Sequence, residues 1–354
     1  MNRRGFGGWD CYPAFRVVFF ALILCVIGIS PATIESRAGD ALQNSQGASQ
    51  AAQVPSAESA PAEPLFVFAA IGDSHITTIS GPDYKYAKAI DRSPKLLAAY
   101  VRDINAHLPR VSFAVHLGDV TDKGVWSEFK TAQEILDSLN CRLYPVVGNH
   151  DNFESDNKAS WKKFARTDST SYTFDYLGFH FLVIDCTKDP YTPGAVECDS
   201  TLRQWVAEDL AANRDKHSFV FSHYNMWERF WNSQFDTTRH YAEYKGMPEL
   251  RKVLEDAGNV VAVINGHVHA NRVEEHNGIF YIDVGATLVG KPSIRYFYVF
   301  RDRVEAAYAY ISHCELLDYV VKVSQGCTNC FDRSAVADYA DGEVQDKQFT
   351  VLFK

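Results

Sequence analysis

Residues 142–151 read Arg142-Leu143-Tyr144-Pro145-Val146-Val147-Gly148-Asn149-His150-Asp151. Arg142–Val147 is a short apolar run rich in β-branched and aromatic side chains, which predicts a buried strand. It stops at a glycine, and the next three residues bring an amide, an imidazole and a carboxylate. The same order recurs along the chain. Leu65–Ile71 runs into Gly72-Asp73-Ser74-His75, and Ser112–Leu117 into Gly118-Asp119. Ser218–Ser222 runs into His223, and Val260–Ile264 into Asn265-Gly266-His267-Val268-His269. Each predicted strand therefore delivers Asp, Asn or His at its carboxyl end. Ligands of α/β sheets collect at that end, so five loops can converge on one point. Glycines at 72, 118, 148 and 266 let the backbone turn where side chains must reach inward.

Between these strands lie amphipathic stretches. Ser93–His107 places Leu96, Leu97, Tyr100, Val101 and Ile104 near helical spacing. Trp126–Leu139, Thr201–Ala212 and Pro248–Asp256 read as helices too, and Ser171–Asp185 as a hairpin turning at Leu177-Gly178. After Ile264 the pattern is mostly strand to about residue 311. Strands alternating with helices, plus hairpins, predict an α/β domain of mixed sheets with helices outside, over residues 65–311. Residues 312–354 are expected to form an extension packed on that domain.

The delivered groups are carboxylates, imidazoles and one amide, a set that suits Fe, Mn or Zn better than Mg. On an extended segment alternate residues face one side, so Asp73 with His75, and His267 with His269, can act as pairs. Asp73, His75, Asp119, Asn149, His223, His267 and His269 exceed what one tetrahedral ion takes. They fit two ions with a bridging carboxylate, an arrangement that clamps both oxygens of a phosphoryl displacement. A single Asp or His after a strand is ordinarily a turn, cap or packing residue. The force of the pattern is joint.

In this order, Asp-x-His, Gly-Asp, Gly-Asn-His-Asp, His and Gly-His-x-His resemble the calcineurin-like metallophosphoesterases over roughly residues 65–300. The resemblance implies a four-layer α/β/β/α sandwich of two mixed β-sheets flanked by helices. It implies that Asp73, His75, Asp119 and His269 hold one metal, and that Asp119, Asn149, His223 and His267 hold the other. It gives His150 the task of hydrogen-bonding the phosphate and protonating the leaving oxygen, with Asp151 orienting it. The expected reaction is hydrolysis of a phosphoester by a hydroxide bridging two metal ions.

Departures narrow the choice. Gly118-Asp119-Val120-Thr121-Asp122 lacks the tyrosine ligand of purple acid phosphatases. Lys123 and Asp151 stand where protein serine/threonine phosphatases carry Arg and Glu. Gly118–Gly124 followed by Glu128-Phe129 is similar to bacterial class III cyclic nucleotide phosphodiesterases and glycerophosphodiesterases. A diester substrate is therefore expected ahead of a monoester. A phosphate-scavenging monoesterase and a catalytically idle metal-binding module are the alternatives, and the intact His150-Asp151 pair argues against the second. Tyr224 replaces a second His found in many relatives. The stretch from Tyr224 to Gly246 is unusually aromatic. It reads either as a lid that stacks on the leaving group or as an insertion packed on the core or on a second subunit of a homodimer. The candidate substrate contacts are Asn149, Tyr224, Trp227 and Trp231.

Composition limits the partners. The net charge is −9, and loss of residues 1–38 removes four Lys/Arg and two Asp/Glu, leaving about −11. Such a chain has no general attraction for nucleic acid or anionic lipid, so the substrate is expected to be a small-molecule phosphoester. Arg3 and Arg4 precede an apolar run from Val17 to Ile29, shorter than the roughly 20 residues a spanning helix needs. This predicts an export signal ending at Ala38, a flexible linker over 39–64, and a periplasmic or secreted protein, with an uncleaved membrane anchor as the alternative. Among the cysteines left after such processing, Cys186 and Cys198 are the favoured pair, and Cys327-x-x-Cys330 reads as a disulfide or free thiols rather than a zinc site.

Overall fold

The computed structural model describes residues 62–153, 158–187, 196–227, 244–328 and 336–353. The expected signal and nearly all of the linker lie outside these residues. Residues 64–354 form one unit. Its elements are β1 (Phe66–Ile71), α1 (Ser93–Ala106), β2 (Val111–His116), α2 (Trp126–Leu136), β3 (Arg142–Pro145), α3 (Ala159–Ala165), β4 (Tyr172–Tyr176), β5 (Phe179–Ile184), α4 (Ser200–Ala212) and β6 (Ser218–Ser222). They continue with α5 (Met247–Ala257), β7 (Val260–Asn265), β8 (Arg272–His276), β9 (Ile279–Asp283), β10 (Ser293–Val299), β11 (Arg303–Tyr310), α6 (Cys314–Gln325), α7 (Val336–Asp341), α8 (Val344–Lys347) and β12 (Gln348–Leu352).

Two six-stranded mixed sheets result. One has the order β12-β11-β10-β1-β2-β3, the other β4-β5-β6-β7-β9-β8. In the first, β1, β2 and β3 are parallel and the remaining pairs antiparallel. In the second, β5, β6, β7 and β9 are parallel, with antiparallel edges. The period-two alternation of strands decides the layering. Phe66, Phe68 and Ala70 of β1 join Phe181, Phe219 and Phe221 of the second sheet in one buried cluster. Val67, Ala69 and Ile71, one residue out of phase, pack against Leu96, Leu97 and Tyr100 of α1. On the far side, Leu182 and Val220 pack against Val206, Leu210, Leu250 and Leu254 of α4 and α5. The layers are therefore helix, sheet, sheet, helix, and each buried Phe between the sheets contributes about 1.5–3 kcal/mol.

Local signals agree with this architecture. Asp199 caps α4 by accepting from Leu202 N at 2.9 Å. Leu177 and Gly178 both take positive φ, as the tight turn between β4 and β5 requires. The last forty-odd residues are built into the domain itself: α6 to α8 are followed by β12, which pairs antiparallel with β11 and closes the edge of the first sheet. Cys186 and Cys198 form a disulfide with each other, Cys314 and Cys327 each take part in a disulfide, and Cys141 is a free thiol. Cys330 lies outside the described residues. Among the described residues no helix is long and apolar enough to cross a membrane.

Candidate metal centre

The carboxyl ends of β1, β2 and β3 from one sheet meet those of β6 and β7 from the other. Donor atoms of Asp73, His75, Asp119 and His269 lie within 4.8 Å of one another, as do those of Asp119, His223 and His267. In the first group, His75 Nε2 is 3.3 Å from His269 Nε2 and 3.7 Å from Asp119 Oδ2, and His269 Nε2 is 3.3 Å from Asp73 Oδ1. In the second, His223 Nε2 is 3.4 Å from Asp119 Oδ1, 3.2 Å from His267 Nδ1 and 3.0 Å from Asn149 Oδ1. Two ligand atoms held about 2.1 Å from one ion, at angles of roughly 90–109°, are themselves about 3.0–3.4 Å apart. The spacing fits two ions sharing Asp119, and the donor set is the nitrogen-and-oxygen mixture that transition metals favour.

The backbone does this by a route the alternation argument did not foresee. Asp73, His75, Asp119, His267 and His269 all have φ between 42° and 68°, in the left-handed region. Asp73–His75 and His267–His269 are therefore not extended segments. Each ligand is turned inward by its own kink, while Ser74 points away and its Oγ sits 2.7 Å from His116 Nε2. Non-glycine residues hold this conformation only where the surroundings enforce it, and such strain clusters at functional sites. Gly148 is required for a different reason, since a Cβ there would lie 2.2 Å from both N and Oδ1 of Asp119.

Outer contacts fix the ligands' orientation. His223 Nδ1 donates to Leu117 O at 2.8 Å, leaving Nε2 free to face the group. His267 presents Nδ1, with its Nε2 3.2 Å from the Tyr244 hydroxyl. Asp119 Oδ1 accepts from His150 N at 2.8 Å, and Asp73 accepts from His267 N at 3.1 Å. Burial, and then the charge of Asp73, pushes the Asp119 carboxyl well above the usual range. Burial also pushes Asp73 up, but contacts with His269 outweigh it and hold that carboxyl down at about 2. Burial keeps His75 and His267 well below the ordinary imidazole value, so both are neutral and ready to ligate. Two carboxylates buried among neutral imidazoles call for cationic compensation.

His150 differs from its neighbours in being open. Its side chain is 24% exposed, against 0% for His75 and 1% for His223. Its ring lies edge-on to His75 with centroids 4.5 Å apart. Asp151, expected to orient it, does not. One oxygen of Asp151 accepts from Thr121 N and Oγ1 at 2.9 and 3.0 Å, the other from Gly148 N at 3.0 Å. The short 3₁₀ turn His150–Asn152 sends adjacent side chains in different directions, so Asp151 staples two loops beneath the centre. The task falls to Asp122, whose carbonyl accepts from His150 Nδ1 at 2.7 Å. Asp122 Oδ1 also lies 3.6 Å from His150 Nδ1 and 3.5 Å from His75 Nδ1, so its carboxylate adjoins both rings. Burial first, and then the Lys88 charge, lowers His150 to about 3.

Two substrate contacts expected of the aromatic stretch are corrected. Tyr224 is fully buried, its ring 4.8 Å from that of His267 and 5.1 Å from that of His223. It packs behind the ligands, where no base can stack on it. Trp227 stacks on His276 at 4.0 Å and lies under Arg251, packed with Tyr281 on the helix-covered face of the second sheet. Trp231 lies outside the described residues. Sequence reasoning missed Lys88, whose Nζ is 3.2 Å from His75 Nε2. Asp122 was signalled only by its place three residues after Asp119.

The calcineurin-like phosphoesterase family model matches residues 66–271. A protein of Arcobacter nitrofigilis named as a probable glycerophosphodiester phosphodiesterase is 24% identical over 177 residues, covering 49% of this chain and 63% of that protein. The match therefore spans less than two thirds of the relative's length. Among solved structures, a dimetal phosphatase from Danio rerio has a TM-score of 0.57 at 16% identity, over 82% of this chain and 100% of the other. Purple acid phosphatase from yellow lupin (Lupinus luteus) seeds has a TM-score of 0.51 at 14% identity, over 71% of this chain and 52% of the other. These two are likenesses of fold.

Proposed function

The chain belongs to the calcineurin-like phosphoesterase family, and from that premise we propose that it hydrolyses a small-molecule phosphodiester at a two-metal centre. The observation that carries this reading is the pair of ligand groups joined at Asp119. Asp73, His75, Asp119 and His269 would hold one ion, and Asp119, Asn149, His223 and His267 the other. Fe, Mn or Zn ions, when bound there, supply a nucleophilic water of lowered pKa and neutralise phosphoryl charge. The preference for a diester is supported by the name of the Arcobacter relative.

The chain's own residues do the rest. Asp122 holds the His150 ring so that Nε2 is left to face the substrate. As a neutral ring His150 takes a proton at Nε2 from solvent water, to which its side chain is open. An anionic phosphoester beside it offsets the Lys88 charge, favours the imidazolium and makes Nε2 the donor to the leaving oxygen. Asp151 keeps the 118–124 and 148–151 loops at fixed separation.

The test is a paired assay. Metal-stripped protein is reloaded with Mn, Zn or Fe and given bis(p-nitrophenyl) phosphate and p-nitrophenyl phosphate side by side. Faster turnover of the diester is expected. Faster turnover of the monoester would replace this reading with a scavenging phosphatase, and no turnover with two ions bound would replace it with a binding module.

On the same reading the protein works outside the cytoplasm. Support comes from the residue 1–38 pattern and from a disulfide of the kind that persists in oxidising compartments. Exported protein should begin at Gly39 on N-terminal sequencing. A chain recovered from membranes with residues 1–38 intact would make that segment an anchor.

A further inference from the structure

Lys88 is a buried lysine, 9% exposed, on the loop between β1 and α1. The loop is built to deliver it. Asp83 and Lys88 exchange backbone hydrogen bonds, Ala87 takes φ 61°, and Ala89 N donates to Leu288 O. The end of α6 pins the outer side, where Thr328 N donates to Tyr84 O at 2.8 Å and Ser324 Oγ reaches Ala87 O at 3.4 Å. At the tip of this support the Lys88 ammonium has, among the described residues, one hydrogen-bond partner, His75 Nε2, at 3.2 Å. Among the described residues it has no carboxylate at ion-pair distance.

His75 Nε2 is the nitrogen that faces Asp119 and His269, so it is the one committed to an ion when the centre is loaded. An ion that takes this nitrogen deprives the ammonium of its one hydrogen-bond acceptor among the described residues. A buried cation in that position needs an anionic oxygen. It adjoins the His75 ring that His150, the solvent-open histidine of the centre, also packs against. Resting on the phosphoesterase reading above, we infer that Lys88 is a substrate-binding residue whose ammonium donates to a non-bridging phosphoryl oxygen of the bound ester.

A structural role, as internal compensation for Asp73, Asp119 and Asp122, predicts different behaviour, and the two can be separated. The experiment compares wild type with Lys88→Met, which keeps the apolar stem and removes the charge. Ions per chain and ion affinity are measured first, then the Kd of inorganic phosphate for the loaded protein, then turnover of both nitrophenyl esters. Phosphate binding is expected to weaken on the order of 10- to 100-fold, the loss of one charge-assisted hydrogen bond. Two ions should be retained at equal or higher affinity, because a cation facing the His75 nitrogen has been removed. Phosphate affinity within twofold of wild type, or loss of an ion, overturns the assignment. If Lys88→Met does not fold, Lys88→Gln carries the same measurement. Wild-type protein that binds two ions but neither binds phosphate nor turns over either ester overturns the phosphoesterase reading together with this one. An active wild type with an unchanged Lys88 variant overturns this one alone.

Discussion

An alanine at position 148 would set its Cβ 2.2 Å from the backbone nitrogen and the Oδ1 of Asp119. Neither atom can retreat, because Asp119 sits between the two ligand groups and its Oδ1 accepts from His150 N. Gly148→Ala should therefore reduce the ions bound per chain, read by elemental analysis. A remote glycine such as Gly178, where a Cβ would project into open space, only tests its turn. Asn149→Ala and Asp119→Ala should likewise lose metal and activity together. His150→Ala should keep both ions and lose turnover by about 10²–10⁴-fold, the usual contribution of a positioned proton donor. If the His150 variant lost an ion instead, its separation from the ligands would be wrong. At this scale the seven ligand candidates were legible because each follows an apolar strand, so its address is written in its own neighbours. Asp122, Asp151 and Lys88 were not, because what they touch depends on the path of a loop. Asp151 adjoins His150 in sequence and still faces Thr121 and Gly148.

The elements that carry ligands are the ones that the sequence makes plainest. Phe66–Ile71 and Ser218–Ser222 are buried throughout and bounded by turn residues, and α1 buries a clean stripe. The C-terminal elements are harder to read for a physical reason. β12 buries one side chain, Val351, and so shows no alternation, and α6, twelve residues long, buries only Val320, Val323 and Ser324. Besides the apolar contacts of Val320, Val323, Val336, Ala340 and Val351, a polar cluster holds this region. Asp341 accepts from the hydroxyls of Tyr308 and Tyr310 at 2.7–2.8 Å and from Lys347 Nζ at 2.6 Å. Burial pushes its carboxyl up, but Lys347 and the two tyrosines outweigh that and hold it below the ordinary value. A depressed carboxyl stabilises the fold fully above the unfolded value of about 3.9, and the contribution disappears as pH falls through the lower folded value. Asp341→Asn should thus cost about 1–3 kcal/mol at pH 7 in a denaturant titration. The gap from wild type should narrow on acidification below about pH 4. A gap that stays constant to about pH 2 would assign the effect to packing.

For the whole molecule, the centre exists only because two sheets bring their carboxyl edges to one place, and that convergence is opposed by local energetics. Five ligands are held in left-handed conformations, and Asp73 and Asp119 are buried side by side with charges that repel. The Phe-rich layer between the sheets and the helices outside them supply the stability against which this strain is held. Cations bound at the centre favour the folded chain over the unfolded one by about 2.7 kcal/mol per site at a hundredfold excess over Kd. With roughly 2–4 °C of melting temperature per kcal/mol in a domain this large, chelation should lower Tm on the order of 10 °C, and reloading should restore it. The same comparison made on Asp119→Asn should show a much smaller response, because the residue common to both groups no longer carries a charge. A wild type whose ions are stripped, as counted by elemental analysis, without any fall in Tm would mean that the fold holds these side chains together unaided. The strained loops would then be a preformed site whose geometry owes nothing to metal.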